Sequence, residues 1–557
     1  MVEFSSGRVS LPQGAAPRDA DADRARLRQI HQTAQAGDLA HATALAQAAL
    51  ADGLTHPMLF NLAAAGLEHE GRFEDALALL ERGQALAPGD VGLNQALGLV
   101  LHRLERYAAA LPHFDAVIAA QPDFAAAHAT RGATLEALGD ILGAQAAYGR
   151  AASLQPGNLA ALSGLASLAS RRGQTAQARD LAQRVVQAQP DYPDAVMVLA
   201  AADQADGRPA QGEARLRALL ADDRPTPQQH ALAQGLLGDL LDAQDRAAEA
   251  FAAYCACNSS LQTTYAPRFG AAPSALDYAR QTLAVLDEAP PGAWAAQPAP
   301  PGLEATGHVF LMGFPRSGTT LLEQVLASHP DVEALEERDT LYDAMQAYGR
   351  RPRDLEGLAA AAPQRLAELR DAYWHRVARE GARPQGKLFV DKHPLNTFRL
   401  PVIARLFPDA RVLFARRDPR DVVLSCFRRR FGMSGPMYQL LSLPGAADFY
   451  DAAMRMGERL GAELPLRHMV VRHESLIEDF DDVAREVCEF LDLPWTPALR
   501  GFADRTRDRG IATPSAAQLA RGLSAEGIGQ WRRYATPMAA VLPTLRPWVE
   551  RFGYPAE

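Results

Sequence analysis

Cysteine is scarce in this chain and falls into no pattern. Cys255, Cys257, Cys426 and Cys488 are the four present in 557 residues, with neither the spacing of metal ligands nor the density of a disulfide framework. A reducing cytoplasm suits that usage best. Long apolar runs are missing as well: none approaches the ~18 residues that span a bilayer, and the opening MVEFSSGRVSLPQG lacks the charged-then-apolar order of a secretory signal. Residues 1–24 read as a flexible leader. Positive charge is not in excess, since 57 Lys and Arg stand against 66 Asp and Glu for a net charge of −9. The chain as a whole therefore gives no sign of nucleic-acid binding, and any basic site must be local. Hydrophobic content of 48% and charged content of 22% are those of an ordinary globular protein. A single core seldom grows past ~250–300 residues, so two or more domains are expected.

From about Ala25 the chain is rich in alanine and leucine, and it is periodic. Pro88, Pro122, Pro156 and Pro190 recur every 34 residues, and Ala76, Ala110, Ala144 and Ala178 keep the same interval. Gly37, Gly71, Gly139, Gly173 and Gly207 share a third phase, in which Glu105 is the exception. Small residues Ala64, Gly98, Gly132 and Ala166 mark a fourth, while Phe114 and Tyr148 supply bulk. Each landmark has a physical role in a helix-turn-helix unit: glycine ends the first helix, alanine sits where helices approach closely, and proline follows the second helix because it cannot continue one. The pattern resembles the tetratricopeptide repeat over about residues 25–260, in about seven units whose ends are degenerate as caps tend to be; in the last, the landmarks drift near Asp245. Solenoids present grooves, so a peptide or protein is the expected partner of the array. The alternative is that it scaffolds the second domain or joins two copies as a homodimer. Tyr107 and Asp140 read as core or solvated face, not as contacts.

Residues 261–303 form a linker with one short helix, Ser274–Glu288, ahead of the spacer APPGAWAAQPAPPG. Beyond it, apolar runs at Val309–Phe314, Lys387–Val390, Arg411–Ala415 and Met469–Val471 alternate with helical patterns such as Pro363–Glu380 and Phe480–Leu491. That alternation predicts an α/β domain over 304–557, with a parallel sheet and ligands at the carboxyl ends of its strands.

The centre of that domain is VFLMGFPRSGTTLLEQVLASHPDV, Val309–Val332. A short strand, then Gly313–Gly318, then an amphipathic helix from Thr319 makes a strand-to-helix loop. Unpaired amides and the positive helix end there face one spot, which favours an anion. Arg316, Ser317, Thr319 and Thr320 add side-chain donors beside Gly318. The glycine spacing is that of a Walker A loop, but Thr319 stands where that motif needs its lysine. An ordinary nucleoside triphosphatase is disfavoured.

The run RVLFARRDPRDVVLSCFRRRF places Arg417 at a strand end, Ser425 about two helical turns on and Arg429 one turn beyond. A guanidinium fork and a hydroxyl are apt donors for a second phosphate. Such a cluster alone is more often a solvated face, whereas two anion sites on neighbouring strands suit a nucleotide phosphorylated at both ends.

PRSGTTLLEQVLASHPDV, EERDT (Glu336–Thr340), DKHPLN (Asp391–Asn396), RRDPRDVVLS (Arg416–Ser425) and TPSAAQ…GIGQWRRY (Thr513–Tyr534) together resemble the bacterial sulfotransferases related to tyrosylprotein sulfotransferases. The likeness spans about 300–555 in the usual motif order. It implies 3′-phosphoadenosine-5′-phosphosulfate (PAPS) as donor, adenosine 3′,5′-bisphosphate as product, and no metal. It implies that Arg316 to Thr320 hold the 5′-phosphosulfate while Arg417, Ser425 and Arg429 hold the 3′-phosphate. Glu337 matches the family's catalytic glutamate, with Glu336 its immediate rival, and its neighbours Glu333 and Glu336 are expected to raise its pKa. Without the family, the same glutamates read as a solvated acidic turn.

Lys392 matches a lysine that steadies the transition state, and Arg316 is placed to touch the transferring group. His393 is a rival base whose position does not match. Ile511–Tyr534 is expected to form a lid, with Thr513 and Ser515 offering hydroxyls and Trp531 anchoring it. His473 stands where the relatives carry a tyrosine, which leaves the adenine contact open. The acceptor expected is a hydroxyl, protein tyrosine included, or an amine. Two readings stand against this one: a kinase-like enzyme on a P-loop scaffold, and a non-catalytic repeat scaffold.

Overall fold

The computed structural model describes residues 20–290, 292–294, 302–464, 466–509 and 522–556. They form two compact units, one of Met1–Ser170 with Ala176–Val198 and one of Arg171–Thr175 with Leu199–Glu557. Composition put the join at 261–303, yet the helices from Leu199 onward share a unit with the sheet domain. Periodicity reports how a segment folds, not which neighbour it buries against.

Among the described residues, Ala20–Gln35 packs with Leu39–Ala51, Pro57–His69 with Phe73–Leu86, Val91–Arg103 with Tyr107–Ala120, Ala125–Ala137 with Ile141–Leu154 and Pro227–Asp242 with Ala247–Phe269. The landmark residues hold the positions that their chemistry suggests. Gly37, Gly71, Gly139, Gly173 and Gly207 adopt φ of 86°, 75°, 80°, 72° and 73°. A Cβ there would meet nothing within 4 Å, so the requirement is conformational. Glu105 takes the same left-handed slot at φ 58°, and Asp245 takes it at φ 59° where the phase drifts. Close approach governs the other phase: a Cβ on Gly98 would lie 2.6 Å from the Phe114 ring and one on Gly132 2.8 Å from the Tyr148 ring. The expected helix at 274–288 begins at Ala275, with Ser274 and Asp277 forming a capping box. No described helix is long and apolar enough to cross a membrane.

In the second unit a five-stranded sheet has the order β2-β3-β1-β4-β5, every pair parallel. The strands are β1 Gly307–Met312, β2 Val332–Glu336, β3 Leu388–Lys392, β4 Arg411–Arg416 and β5 Arg467–Arg472. β2 is not among the strands that the apolar runs predict. As an edge strand it buries Val332 and Leu335 and leaves its glutamates part-exposed, which hides the apolar signal.

Alternation along the strands sorts the two faces. Val309, Leu311, Leu388, Val390, Leu413 and Ala415 pack with Leu321, Leu322, Val325 and Leu326 of the helix Thr319–Ala327. His308, Phe310 and Phe389 face the other way, against Tyr373, Trp374 and Phe407. By the same period, Glu336 and Lys392 share the face of the first helix, and they are direct register partners.

Candidate active site

The loop after β1 is held from three sides. Thr397 Oγ1 donates to the Gly313 carbonyl (2.6 Å), Cys426 Sγ to the Pro315 carbonyl (3.3 Å), and Arg417 Nη1 to the Arg316 carbonyl (3.1 Å). Gly313 cannot carry a side chain, because its Cβ would lie 2.5 Å from the Ala415 carbonyl oxygen. Arg316 and Gly318 both take left-handed backbone, at φ 70° and 97°. That bend turns the loop so that Gly318 caps the helix Thr319–Ala327 with its first amides unpaired by the helix. Ser317, Thr319 and Thr320 are buried around it.

The second predicted anion cluster reaches the first directly. Arg316 Nε donates to Ser425 Oγ across 3.1 Å. The Arg316 guanidinium is pushed down to about 9 by burial and then by the like charges of Arg429 and Arg417, and it remains a cation at neutral pH. Burial also lowers Arg429, which is the cap residue of the helix Pro419–Arg428. Arg316 thus touches Ser425, accepts at its carbonyl from Arg417, and feels the charges of Arg429 and Arg417.

His473, after β5, rests against Gly318: a Cβ there would lie 2.6 Å from its Nδ1. Burial, then Arg417 and Arg316, push His473 down to about 3, so it is neutral. Its Nδ1 and Arg417 Nε are buried without a hydrogen-bond partner among the described residues.

At the carboxyl ends of β2 and β3 lies a cluster of charge. Lys392 is fully buried, its Nζ 2.7 Å from Glu337, 3.1 Å from Glu323 and 3.6 Å from Glu336. One ammonium does not neutralise three carboxylates. Burial, with Glu336 and Glu337, pushes Glu323 up to about 8, and burial with Glu337 raises Glu336. Glu337 goes the other way. Burial acts to raise it, but Lys392 outweighs burial and holds it below its ordinary value. The expectation that like charge or burial would raise Glu337 is thus corrected. Glu333 is not part of the cluster; it accepts from the Arg383 amide. His393, beside Lys392, is pushed down to about 4 by burial and then by Arg399, so this rival base is neutral.

The described end of the expected lid is tied down. Asp421 accepts from the amides of Gly529 (2.7 Å) and Trp531 (2.9 Å), and Arg417 Nη2 donates to the Gly527 carbonyl. The Trp531 ring is buried under the Arg420 guanidinium, 4.1 Å from its centroid. Thr513 and Ser515 lie outside the described residues.

Residues 308–497 match the model of the "Sulfotransferase family", and residues 129–193 and 169–236 match tetratricopeptide repeat models. The match to the sulfotransferase family covers residues 308–497, which include the sheet from His308 onward and the site residues Arg316 to His473 described above. Tetratricopeptide repeats precede it. Among curated relatives, an uncharacterized protein of Aquifex aeolicus (strain VF5) is 27% identical over 45% of this chain and 35% of its own length. Protein-tyrosine sulfotransferase 1 of Danio rerio is 24% identical over 44% and 72%, and the Drosophila melanogaster protein-tyrosine sulfotransferase is 26% identical over 34% and 39%. The chain thus spans little more than a third of the first and third of these. Of solved structures, the sulfotransferase domain from the Synechococcus PCC 7002 olefin synthase is 23% identical over 47% of this chain and all of that one, with a TM-score of 0.34.

Sequence reasoning missed two buried acids in the sulfotransferase domain. Glu323 lies on a helix whose nine residues are all buried. A carboxylate in a strand-flanking helix with so little polar surface was the available signal, since such a group needs a partner. Asp391 faces the opposite side of β3, accepting from Thr340 Oγ1 and Tyr373 Oη at 2.7 Å each. Burial pushes it up to about 6.

Proposed function

We propose that the sulfotransferase domain moves a sulfonate group from PAPS to a hydroxyl or amine acceptor, leaving adenosine 3′,5′-bisphosphate. The observation that carries this reading is the Arg316–Ser425 hydrogen bond, with the like charges of Arg429 and Arg417 acting on the same buried guanidinium. A dianion relieves that concentration of like charge, and the unpartnered Arg417 Nε and His473 Nδ1 suit polar ligand atoms. Arg316, Ser317, Gly318, Thr319 and Thr320 take the phosphosulfate end, and Arg417, Ser425 and Arg429 the 3′-phosphate. Thr513 and Ser515 keep their expected place as hydroxyl donors from the lid.

Glu337 is the base. It is ionised at neutral pH and about two-fifths exposed, so an acceptor has access to it. Its carboxylate takes the acceptor proton as the acceptor's oxygen or nitrogen bonds to sulfur. The bond from sulfur to the bridging phosphate oxygen breaks, and its electron pair leaves with the phosphate. Lys392 and Arg316 supply fixed positive charge for that developing anion. The glutamate cluster holds Lys392 rigidly, which favours transfer by preorganisation.

The names of the Danio and Drosophila relatives support protein tyrosine as the acceptor, and the repeats support a peptide or protein partner. Incubating the full chain with sulfur-labelled PAPS and lysate from cells lacking it tests the reading. A labelled product is expected, absent with Arg316→Ala; donor binding without transfer to any lysate component contradicts it.

A further inference from the structure

Three arginines stand in a row at the end of the helix Pro419–Arg428, and two of them are taken up by the last repeat pair. Arg428 Nη2 donates to Asp242 Oδ2 at 2.5 Å, and Arg430 Nη2 to Asp239 Oδ2 at 2.6 Å. Both acids come from the helix Pro227–Asp242. Each is braced by a tyrosine: Tyr254 Oη donates to Asp239 at 2.9 Å and Tyr534 Oη to Asp242 at 2.5 Å. Arg533 adds an ion pair to Asp242 at 2.9 Å. From the partner helix Ala247–Phe269, Asn258 Nδ2 donates to the Phe427 carbonyl at 2.9 Å, satisfying one of the orphan acceptors at the helix end. Phe251 stacks on Phe427, with ring centroids 5.3 Å apart.

Arg429 lies between the two gripped arginines. Its backbone is extended, φ −96° and ψ 140°. In extended backbone, successive side chains point to opposite sides. Gripping Arg428 and Arg430 fixes the backbone on either side of Arg429, whose charge is felt both by Asp239 and, more than any other charge, by Arg316.

We propose that Asp239 and Asp242 of the last repeat pair are positioning residues for the donor's 3′-phosphate: they hold Arg428 and Arg430 and so aim Arg429 at it. This rests on the donor reading above and adds to it that a repeat helix is built into nucleotide recognition. The two acids pair with the flanking arginines, Arg428 with Asp242 and Arg430 with Asp239, which leaves Arg429 as the arginine of the three without a side-chain ion pair to them among the described residues.

The test compares two nucleotides on the full chain by calorimetry: adenosine 3′,5′-bisphosphate, and adenosine 5′-phosphate, which lacks the 3′ group. In the Asp239→Asn, Asp242→Asn double variant, bisphosphate affinity is expected to fall about tenfold with 5′-phosphate affinity unchanged, the loss of one charge-assisted contact. Adding Arg429→Ala is expected to cost little more, because coupled residues are not additive. Equal weakening of both nucleotides would show a merely structural role and overturn the proposal. So would an Arg429→Ala loss as large in the variant as in the wild type. Should the double variant lack a cooperative melt, the single variant Asp239→Asn, which removes one of the two ion pairs, serves with the same readouts and outcomes. A wild-type chain that does not prefer the bisphosphate overturns the donor reading itself.

Discussion

Arg316 Nε donates to Ser425 Oγ across 3.1 Å, joining the loop after β1 to the helix after β4. The two clusters read from the sequence are therefore in direct contact. Arg316→Ala is expected to abolish sulfonate transfer and to weaken adenosine 3′,5′-bisphosphate roughly 100-fold, the scale of losing two charge-assisted hydrogen bonds. Calorimetric titration of the variant checks the second half of that statement without needing an acceptor.

Glu336 and Glu337 are neighbours in the chain but not in role. Glu336 points with its strand toward the first helix, while Glu337 leaves the strand end at φ 41° with its side chain about two-fifths exposed. Glu337→Gln is expected to slow transfer by a factor on the order of 10²–10⁴, the range for general bases, and Glu336→Gln far less. Comparable losses from the two would mean that the base has been misassigned.

The direction of the Glu337 shift sets the acid limb of the rate profile. A carboxylate held below its ordinary 4.5 by Lys392 stays ionised as pH falls from 7 to about 5. The limb in kcat/KM should therefore lie below about pH 4.5, as far as this group determines it. A limb between pH 6 and 7 would implicate a carboxyl group with a raised pKa instead.

Glu323 should show itself in stability. Its pKa rises from 4.5 unfolded to about 8 folded, so the folded state binds the extra proton across that window. Stability from this group is full below the unfolded value and falls as pH rises through 8. In Glu323→Gln, unfolding free energy measured by denaturant is expected to lose part of that decline between pH 5 and 8, a change of at least about 1 kcal/mol. A variant whose pH dependence parallels the wild type would contradict it.

Glu105 occupies, at φ 58°, a slot that glycine fills in most other repeats. A non-glycine residue there costs about 1–2 kcal/mol, against roughly 0.5–1 for the added freedom of glycine in the unfolded chain. Glu105→Gly is expected to raise the unfolding free energy by about 0.5–1 kcal/mol, measured by denaturant titration. A loss of stability would show that contacts of Glu105 outweigh its strain.

What the sequence displayed well was local and periodic. The glycine, alanine and proline phases marked the repeats because each landmark answers a backbone or close-packing need that side-chain type reveals. The loop Gly313–Gly318 was legible because its chemistry is carried by the backbone and adjacent residues. β2 was obscured by half-exposure, with Glu333 and Glu336 interrupting its apolar residues. Glu323 was hidden because its partner, Lys392, lies far along the chain and meets it only through the strand order and the two-residue period of β3. The grip of Asp239 and Asp242 on Arg430 and Arg428 was hidden for the same reason, since nothing in a 34-residue period says which helix pair packs against the sheet domain.

The account stands on recognition of a nucleotide at both of its phosphorylated ends. The measurement that tests it most directly is titration of the full chain with adenosine 3′,5′-bisphosphate and with adenosine 5′-phosphate, repeated on Arg417→Ala. The bisphosphate is expected to bind the wild type at least about 100-fold more tightly, and Arg417→Ala should erase most of that advantage. Equal affinities for the two nucleotides in the wild type would contradict it.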